Sequence, residues 1–364
     1  MSWSWTLYRY LARQFLTGVG IVAAAFVFLI FSIDLVDLTN HTAGKHVPTG
    51  IVVGMVLLQM PDLGLKMLPF AVLLGGVFAF VRLSRSQELV AVRAAGVSAW
   101  NLLSPSLSVA VALGVFAVVA LTPLTARMLE QYSSLEARYV RGQESQLDVS
   151  KNGLWLRQGD GEHQSVIHAM RVAHQGTRLE DVIIFLYGAN DRFLGRIDAH
   201  SAALRTGAWT LANAWVSTAD GSAPAHHGAY SLPTTLTPSQ IQESFASPET
   251  ISFWNLPQFI STAERAGFSA TRYILYFDQL LLLPAMFAAM VFMAASFSLR
   301  LARLGGMGRV VLFSVLAGFG IYFFDNLTRA LGISGILPVA LAAAAPATVA
   351  ILLGMTLVFH QEDG

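Results

Sequence analysis

Apolar residues crowd both ends of this chain and thin out in its middle. Residues 1–131 and 257–364 are dominated by long hydrophobic runs, while residues 132–256 between them are polar and patterned for strands. One such run would be an anchor. Several runs on each side of a large polar insertion predict two helical halves that cooperate in a bilayer and carry a water-side module. Charged residues make up only 12% of the chain, about half the usual share of a soluble protein. The mean hydropathy of +0.56 agrees. The formal net charge of +1 implies no attraction to nucleic acid. There is no cysteine, which excludes disulfides, thiolate metal sites and cysteine nucleophiles.

A spanning helix needs about 20 mostly apolar residues. Six runs qualify: Phe15–Val36, Leu65–Val81, Leu102–Leu121, Ile274–Leu299, Val310–Leu327 and Ile336–Phe359. Arg9 and Arg13 before the first run resemble the start of a signal peptide, but no small-residue cleavage site follows. Thr49–Met60 is also apolar. Pro61, Asp62 and Lys66 interrupt it, so it is expected to be a half-inserted or interfacial helix leading into span two.

Short-loop Lys and Arg set the orientation. Arg9 and Arg13 precede span one, Arg82, Arg85 and Arg93 follow span two, and Arg300, Arg303 and Arg309 follow span four. Both termini are therefore expected to be cytoplasmic, with the insertion on the far side, the periplasm of a Gram-negative cell. Within the insertion, short runs such as Gly153–Arg157, Ser165–Val172, Asp181–Gly188, Arg192–Leu204 and Trp209–Thr218 are separated by turn residues. That spacing favours a sandwich or jelly roll. Leu256–Gly267 reads as an amphipathic helix at the membrane surface.

Between spans two and three lies Arg82–Pro105, too polar to span and too periodic for a plain loop. Leu89, Val90, Val92 and Val97 form an apolar stripe, and Arg85, Gln87, Glu88 and Arg93 can point away. A cytoplasmic helix over about 84–100 is predicted, capped by Ser84 or Ser86. One prominent acid on such a helix suits docking into a groove on a partner. An ordinary surface helix with a solvated Glu88 fits the same pattern.

The segment Gln87–Gly96, the three-plus-three spans, the "GLW" of the insertion, and the stretch "GGMGRVV" followed by "YFFDNL" resemble the LptF/LptG permeases of the lipopolysaccharide export transporter. The resemblance covers essentially the whole chain. It implies an α-helical membrane protein with six transmembrane helices (3+3) and an inserted periplasmic all-β jelly-roll domain. The domains would be residues 1–131, the jelly roll 132–256, and residues 257–364. It implies an inner-membrane permease subunit that pairs with a paralogue (LptF), an ATPase dimer (LptB) and the single-span LptC. Lipopolysaccharide would leave the membrane through a cavity between the permeases and enter a periplasmic jelly-roll bridge.

This division of labour suits the chain, which has no Gly-rich phosphate loop. The nearest run, Thr39–His46, lacks the first Gly and the closing hydroxyl. No catalytic residue, cofactor or metal is expected here; ATP and Mg would be bound by the partner ATPase. The resemblance makes Glu88 the acid that engages that ATPase, with Arg85, Leu89 and Arg93 beside it. For lipid, aromatic residues of spans one and five (Phe26, Phe319, Tyr322 and Phe323) suit acyl chains, although helix packing is the commoner use of such residues. Asp37 matches the family pattern at the outer end of span one, but the phosphate-holding lysines of the family do not recur. Asp34, Asn40 and His41 stand in their place, leaving His41, Lys45, His46 and Lys66 as the nearby cations.

Three other readings remain. Asp34, Asp37, Asp278 and Asp325 near span ends could drive an ion-coupled lipid flippase without an ATPase. His41 and His46 could hint at a metal-dependent membrane enzyme, without any H-E-x-x-H pattern. A structural scaffold would have no use for a coupling helix.

Overall fold

Long helices form both ends of the chain and a single sheet forms the middle in this computed structural model. The structure describes residues 5–43, 47–94, 97–136, 139–140, 147–150, 153–159, 164–173, 178–188, 192–205, 207–219, 222–234, 247–265, 269–304 and 307–362. Two compact units result: Met1–Tyr132 with Ile274–Gly364, and Ser133–Tyr273.

In the first unit, six helices among the described residues are long and apolar enough to cross a membrane. Span one is α1 (Trp5–Thr42) and span two is α2 (Thr49–Arg85). A short α3 (Glu88–Ala94) follows. Span three begins as α4 (Ala99–Phe116), passes through a π-helical turn at Ala117–Leu121, and continues as α5 (Thr122–Glu136). After the sheet and α6 (Leu256–Arg265), which belongs to the second unit, come α7 (Thr271–Leu304), α8 (Met307–Ile333) and α9 (Val339–Glu362) as spans four to six.

Span two differs from the sequence expectation. Thr49–Met60 is no separate half-inserted helix; α2 runs unbroken through Pro61 and Pro69. Prolines are tolerated in membrane helices where neighbours re-satisfy the freed carbonyls. Asp62 and Lys66 fit because they fall one turn apart and pair with each other. With 37 residues, α2 is about 55 Å long, well beyond the roughly 30 Å of hydrocarbon. Span three likewise runs on to Glu136, past the expected end at Leu121.

Small residues let these helices meet at backbone distance, the usual device where lipid supplies no hydrophobic drive between helices. A Cβ on Gly75 of α2 would lie 2.5 Å from Val19 Cα of α1, and one on Gly18 would lie 2.5 Å from Gly75 O. Gly114 of α4 meets Pro284 of α7 in the same way. Leu11, Phe15 and Val19 form the buried stripe of α1, against Val72, Val77 and Phe80 of α2 and Met290 and Ala294 of α7. At the tight α8–α9 reversal, Gly335 takes φ +78.

The second unit holds a seven-stranded antiparallel sheet whose strands follow sequence order. They are β1 (Leu147–Ser150), β2 (Gly153–Gly159), β3 (Gln164–Ala173), β4 (Arg178–Tyr187), β5 (Phe193–Arg205), β6 (Ala208–Thr218) and β7 (Ala225–Pro233). Alternation puts Leu154, Leu156, Ile167, Ile184, Ile197 and Trp209 on one fully buried face. Trp155 lies on the opposite face, paired with His168 at 4.2 Å between rings. Buried Gln158 accepts from Trp209 Nε1 (3.3 Å) and Thr234 Oγ1 (2.6 Å), so the indole N–H is not orphaned. α6 is amphipathic as expected, but its apolar face is spent on the sheet: Ala263 and Phe259 join that core. The sheet-bearing unit therefore extends to Tyr273, beyond the boundary at residue 256 read from the sequence.

Candidate functional site

The helix after span two is shorter than the sequence suggests. The expected helix over about 84–100 resolves into three pieces. Arg85 is the exposed last residue of α2, α3 covers only Glu88–Ala94, and Trp100 already belongs to α4. Ser86 does not cap a helix start; it closes α2, with its Oγ donating to Arg82 O at 3.1 Å. The start of α3 is set by Gln87, whose carbonyl accepts from Ala91 N at 3.0 Å. Its φ of +57 lies in the left-handed region, where non-glycine residues are uncommon. Ser98 then caps α4, accepting from Asn101 N at 3.3 Å.

Glu88 is thereby fixed at the first residue of α3. Its Oε2 accepts a hydrogen bond from Tyr10 Oη at 2.8 Å, and Gln14 Nε2 donates to that phenol oxygen at 3.2 Å. Both partners come from α1, and nothing in the sequence marks them. Leu89 and Arg93 lie in α3, with side chains outside the described part of the structure. Val92 packs against the core of the helical unit. Trp100 packs on Phe292 of α7 (6.0 Å) and Phe359 of α9 (5.1 Å).

The aromatic candidates lie on helices α1 and α8, both of which pack against α2. Tyr322 of α8 meets Phe70 of α2 at 5.9 Å between rings. Gly318 lets α8 approach Leu73 and Phe70, which a Cβ there would meet at 3.0 and 3.2 Å. Phe319 (61% exposed) and Tyr322 (46%) present ring surface that this chain does not cover. Phe26 is half-buried and lines an apolar cavity of about 310 Å³ between α1, α2 and the π-helical turn, with Met60, Pro61, Leu65, Leu68 and Leu121. The sequence reading proposed neither Met60, which it placed at the end of an interfacial helix, nor Pro61, which it assigned to an interruption.

The polar candidates separate into two pairs. At the end of α1, Asp37 and His41 face each other across one turn, with Nδ1–Oδ2 at 3.5 Å, and both are exposed. On α2, Lys66 Nζ sits 2.7 Å from Oδ2 of Asp62, a carboxylate only 4% exposed. Lys66 is therefore no free cation, and Asp62 is a partner the sequence reading treated only as a helix breaker. Spacing i,i+4 was the available signal. Lys45 and His46 lie outside the described residues. Asp325 of α8 accepts from Gln279 Nε2 of α7 at 3.4 Å and lies 3.7 Å from an Arg329 nitrogen, a polar tie between spans four and five. Among the described residues, no three His, Asp or Glu side chains gather as a metal site.

The family model "Lipopolysaccharide export system permease LptF/LptG" matches residues 9–359, nearly the whole chain. The chain belongs to the LptF/LptG family. It is 25% identical, over 97% of its length and 98% of theirs, to the lipopolysaccharide export system permease protein LptG of Escherichia coli strains K12 and O6:H1. As an LptF/LptG permease with six apolar helices, it is a multi-pass protein of the inner membrane.

Proposed function

We propose that this LptF/LptG permease is one half of an ATP-driven extractor of lipopolysaccharide. It would pair with an LptF-type paralogue, draw its energy from ATP and Mg bound by an LptB dimer, and work beside the single-span LptC. The lipid would enter a cavity between the two permeases and rise into a periplasmic jelly-roll bridge. This orientation, with cytoplasmic termini and a periplasmic β domain, follows from the Arg-rich loops.

The observation that carries this reading is an uncovered apolar surface on spans one and five. Phe28 and Ile33 of α1 and Phe319 and Phe323 of α8 are all more than half exposed. The other half of a lipid cavity would complete that surface. Phe26, Phe319 and Tyr322 would take acyl chains, and Asp37, His41, Lys45 and Lys66 would face the polar head. On the other side, Glu88 with Arg85, Leu89 and Arg93 would engage the ATPase. ATPase closure would displace α3 as a rigid piece and shift spans one and five.

Co-expression with LptF and LptB partners, purified by a tag on this chain, tests the reading. A stoichiometric ATPase and bound lipopolysaccharide are expected. Glu88→Ala should lower ATPase recovery or coupling while leaving the membrane helices folded; normal lipid export by that variant would remove Glu88 from the role. Lipid without any ATPase would favour an ion-driven flippase.

A further inference from the structure

We infer that Tyr10 is a positioning residue of the coupling segment: its hydroxyl ties the Glu88 carboxylate to span one, so that a displacement of α3 is delivered to α1. This rests on the coupling role proposed for Glu88. Besides the packing of Val92, three attachments hold the segment among the described residues. The Ser86–Gln87 joint hangs it from α2, with Gln87 at φ +57 restricting the backbone just before Glu88. Trp100 anchors its far end on Phe292 and Phe359 of α7 and α9. The third reaches α1, where Tyr10 Oη donates to Glu88 Oε2 at 2.8 Å across 78 positions of sequence.

The geometry suits transmission as well as packing. A phenol donating to a carboxylate makes a charge-assisted bond, stronger and more directional than a neutral one. Gln14 Nε2 occupies an acceptor position on the phenol oxygen at 3.2 Å, which leaves the hydroxyl hydrogen for Glu88. Tyr10 engages Oε2 alone. The Oε1 atom can then receive a cation from the ATPase without breaking the tie. Tyr10 and Gln14 lie one turn apart on α1, ahead of the residues that face the proposed lipid cavity, so a pull at Tyr10 acts along that helix.

Two variants separate the tie from the charge. Tyr10→Phe keeps the carboxylate and loses the tie. Glu88→Gln keeps an acceptor for Tyr10 and loses the charge. Each is assembled with the LptF and LptB partners in proteoliposomes. ATPase recovery, ATP turnover and lipopolysaccharide released per ATP are then measured. Tyr10→Phe should recover the ATPase at the wild-type ratio and turn over ATP within about twofold, yet release at least about threefold less lipid per ATP. Glu88→Gln should instead lower ATPase recovery. The chain has no cysteine, so spin labels on cysteines introduced at exposed Arg13 and Ala94 read the α1–α3 distance directly; Tyr10→Phe should broaden it. Unchanged release per ATP with an unchanged distance distribution would overturn the role of Tyr10. So would a loss of ATPase recovery parallel to that of Glu88→Gln, which would mean Tyr10 serves docking alone. If Glu88→Ala leaves recovery and export normal, the coupling reading itself fails, and the inference falls with it.

Discussion

Removing Lys66 should harm this protein more than neutralising its partner, and the two changes should not add. Asp62 is 4% exposed and its Oδ2 lies 2.7 Å from Lys66 Nζ, whose own side chain is half exposed. At that distance, the attraction between unit charges is about 6 kcal/mol at an effective dielectric of 20 and about 1.5 kcal/mol in bulk water. Water reaches Lys66, so the lower part of that range applies. Lys66→Ala strands a buried carboxylate. Removing one partner of a buried pair costs about 3–5 kcal/mol, and water access at Lys66 lowers that figure. A loss of about 1–3 kcal/mol is expected. Asp62→Asn retains an acceptor for Lys66, whose ammonium can turn to water, and should cost under about 1 kcal/mol. Made on top of Lys66→Ala, the same change removes the stranded charge and should restore about 1–2 kcal/mol. The assay is a double-mutant cycle by denaturant titration of the purified chain in mixed micelles. If Asp62→Asn lowers stability equally in both backgrounds, the pair is not an ion pair in a shielded setting. The pairing also bears on lipid binding. Asp62 neutralises Lys66, so Asp62→Asn should free its charge and tighten retention of phosphorylated lipid, up to about fivefold for a partly exposed site.

Other outcomes follow from single positions. Gly75→Leu must push α1 away from α2, since even a Cβ would lie 2.5 Å from Val19 Cα; a loss of about 1–3 kcal/mol is expected in the same titration, with Gly20→Ala, which meets no atom within 4 Å, as the neutral control. Gln87→Val should cost about 1–2 kcal/mol at its left-handed φ and reduce ATPase recovery, whereas Gln87→Gly should keep it. A photo-crosslinking residue at Ile184, on the buried face of the sheet, should trap lipid during export, and one at Trp155, on the opposite face, should not; the reverse pattern would exclude the buried face as the lipid path.

The apolar runs made the spans legible because a bilayer leaves few alternatives to a helix of that length. The strands were legible because alternation and turn residues recur at short intervals. Helix ends were not. Pro61, Asp62 and Lys66 look like a break when each is judged alone. In the fold, the two charges cancel one another and the proline is absorbed inside a continuous α2. The helix after span two was expected but drawn too long, because Ser86 and Gln87 carry no strong stop signal while a backbone turn at Gln87 ends α2. Tyr10 was illegible for another reason. Its partner is 78 residues away, and no periodicity reports a contact between separate helices. The aromatic residues of spans one and five were visible, but only packing distinguishes Phe26, inside a cavity, from Phe319, on an open face.

The position of α2 links these observations. It touches α1 at backbone distance through Gly18 and Gly75. It meets α8 through Phe70 and Tyr322, where Gly318 allows the approach. Its last turn passes into α3 through the two-residue joint at Ser86–Gln87. The spans proposed to line the lipid cavity are thus the two that α2 braces, and the segment proposed to meet the ATPase is its direct continuation. Close-packed contacts of this kind shift as units and do not deform smoothly. A movement that enters at α3 therefore has packing routes to span one, through α2 and through α4, beside the direct one through the Tyr10 hydrogen bond. Span five is reached by packing, through α2 and, from Trp100, through α9. The proposed cycle accordingly predicts that damage at Tyr10 weakens the response of span one more than that of span five, and that damage at the Gly18–Gly75 contact disturbs span one by a packing route.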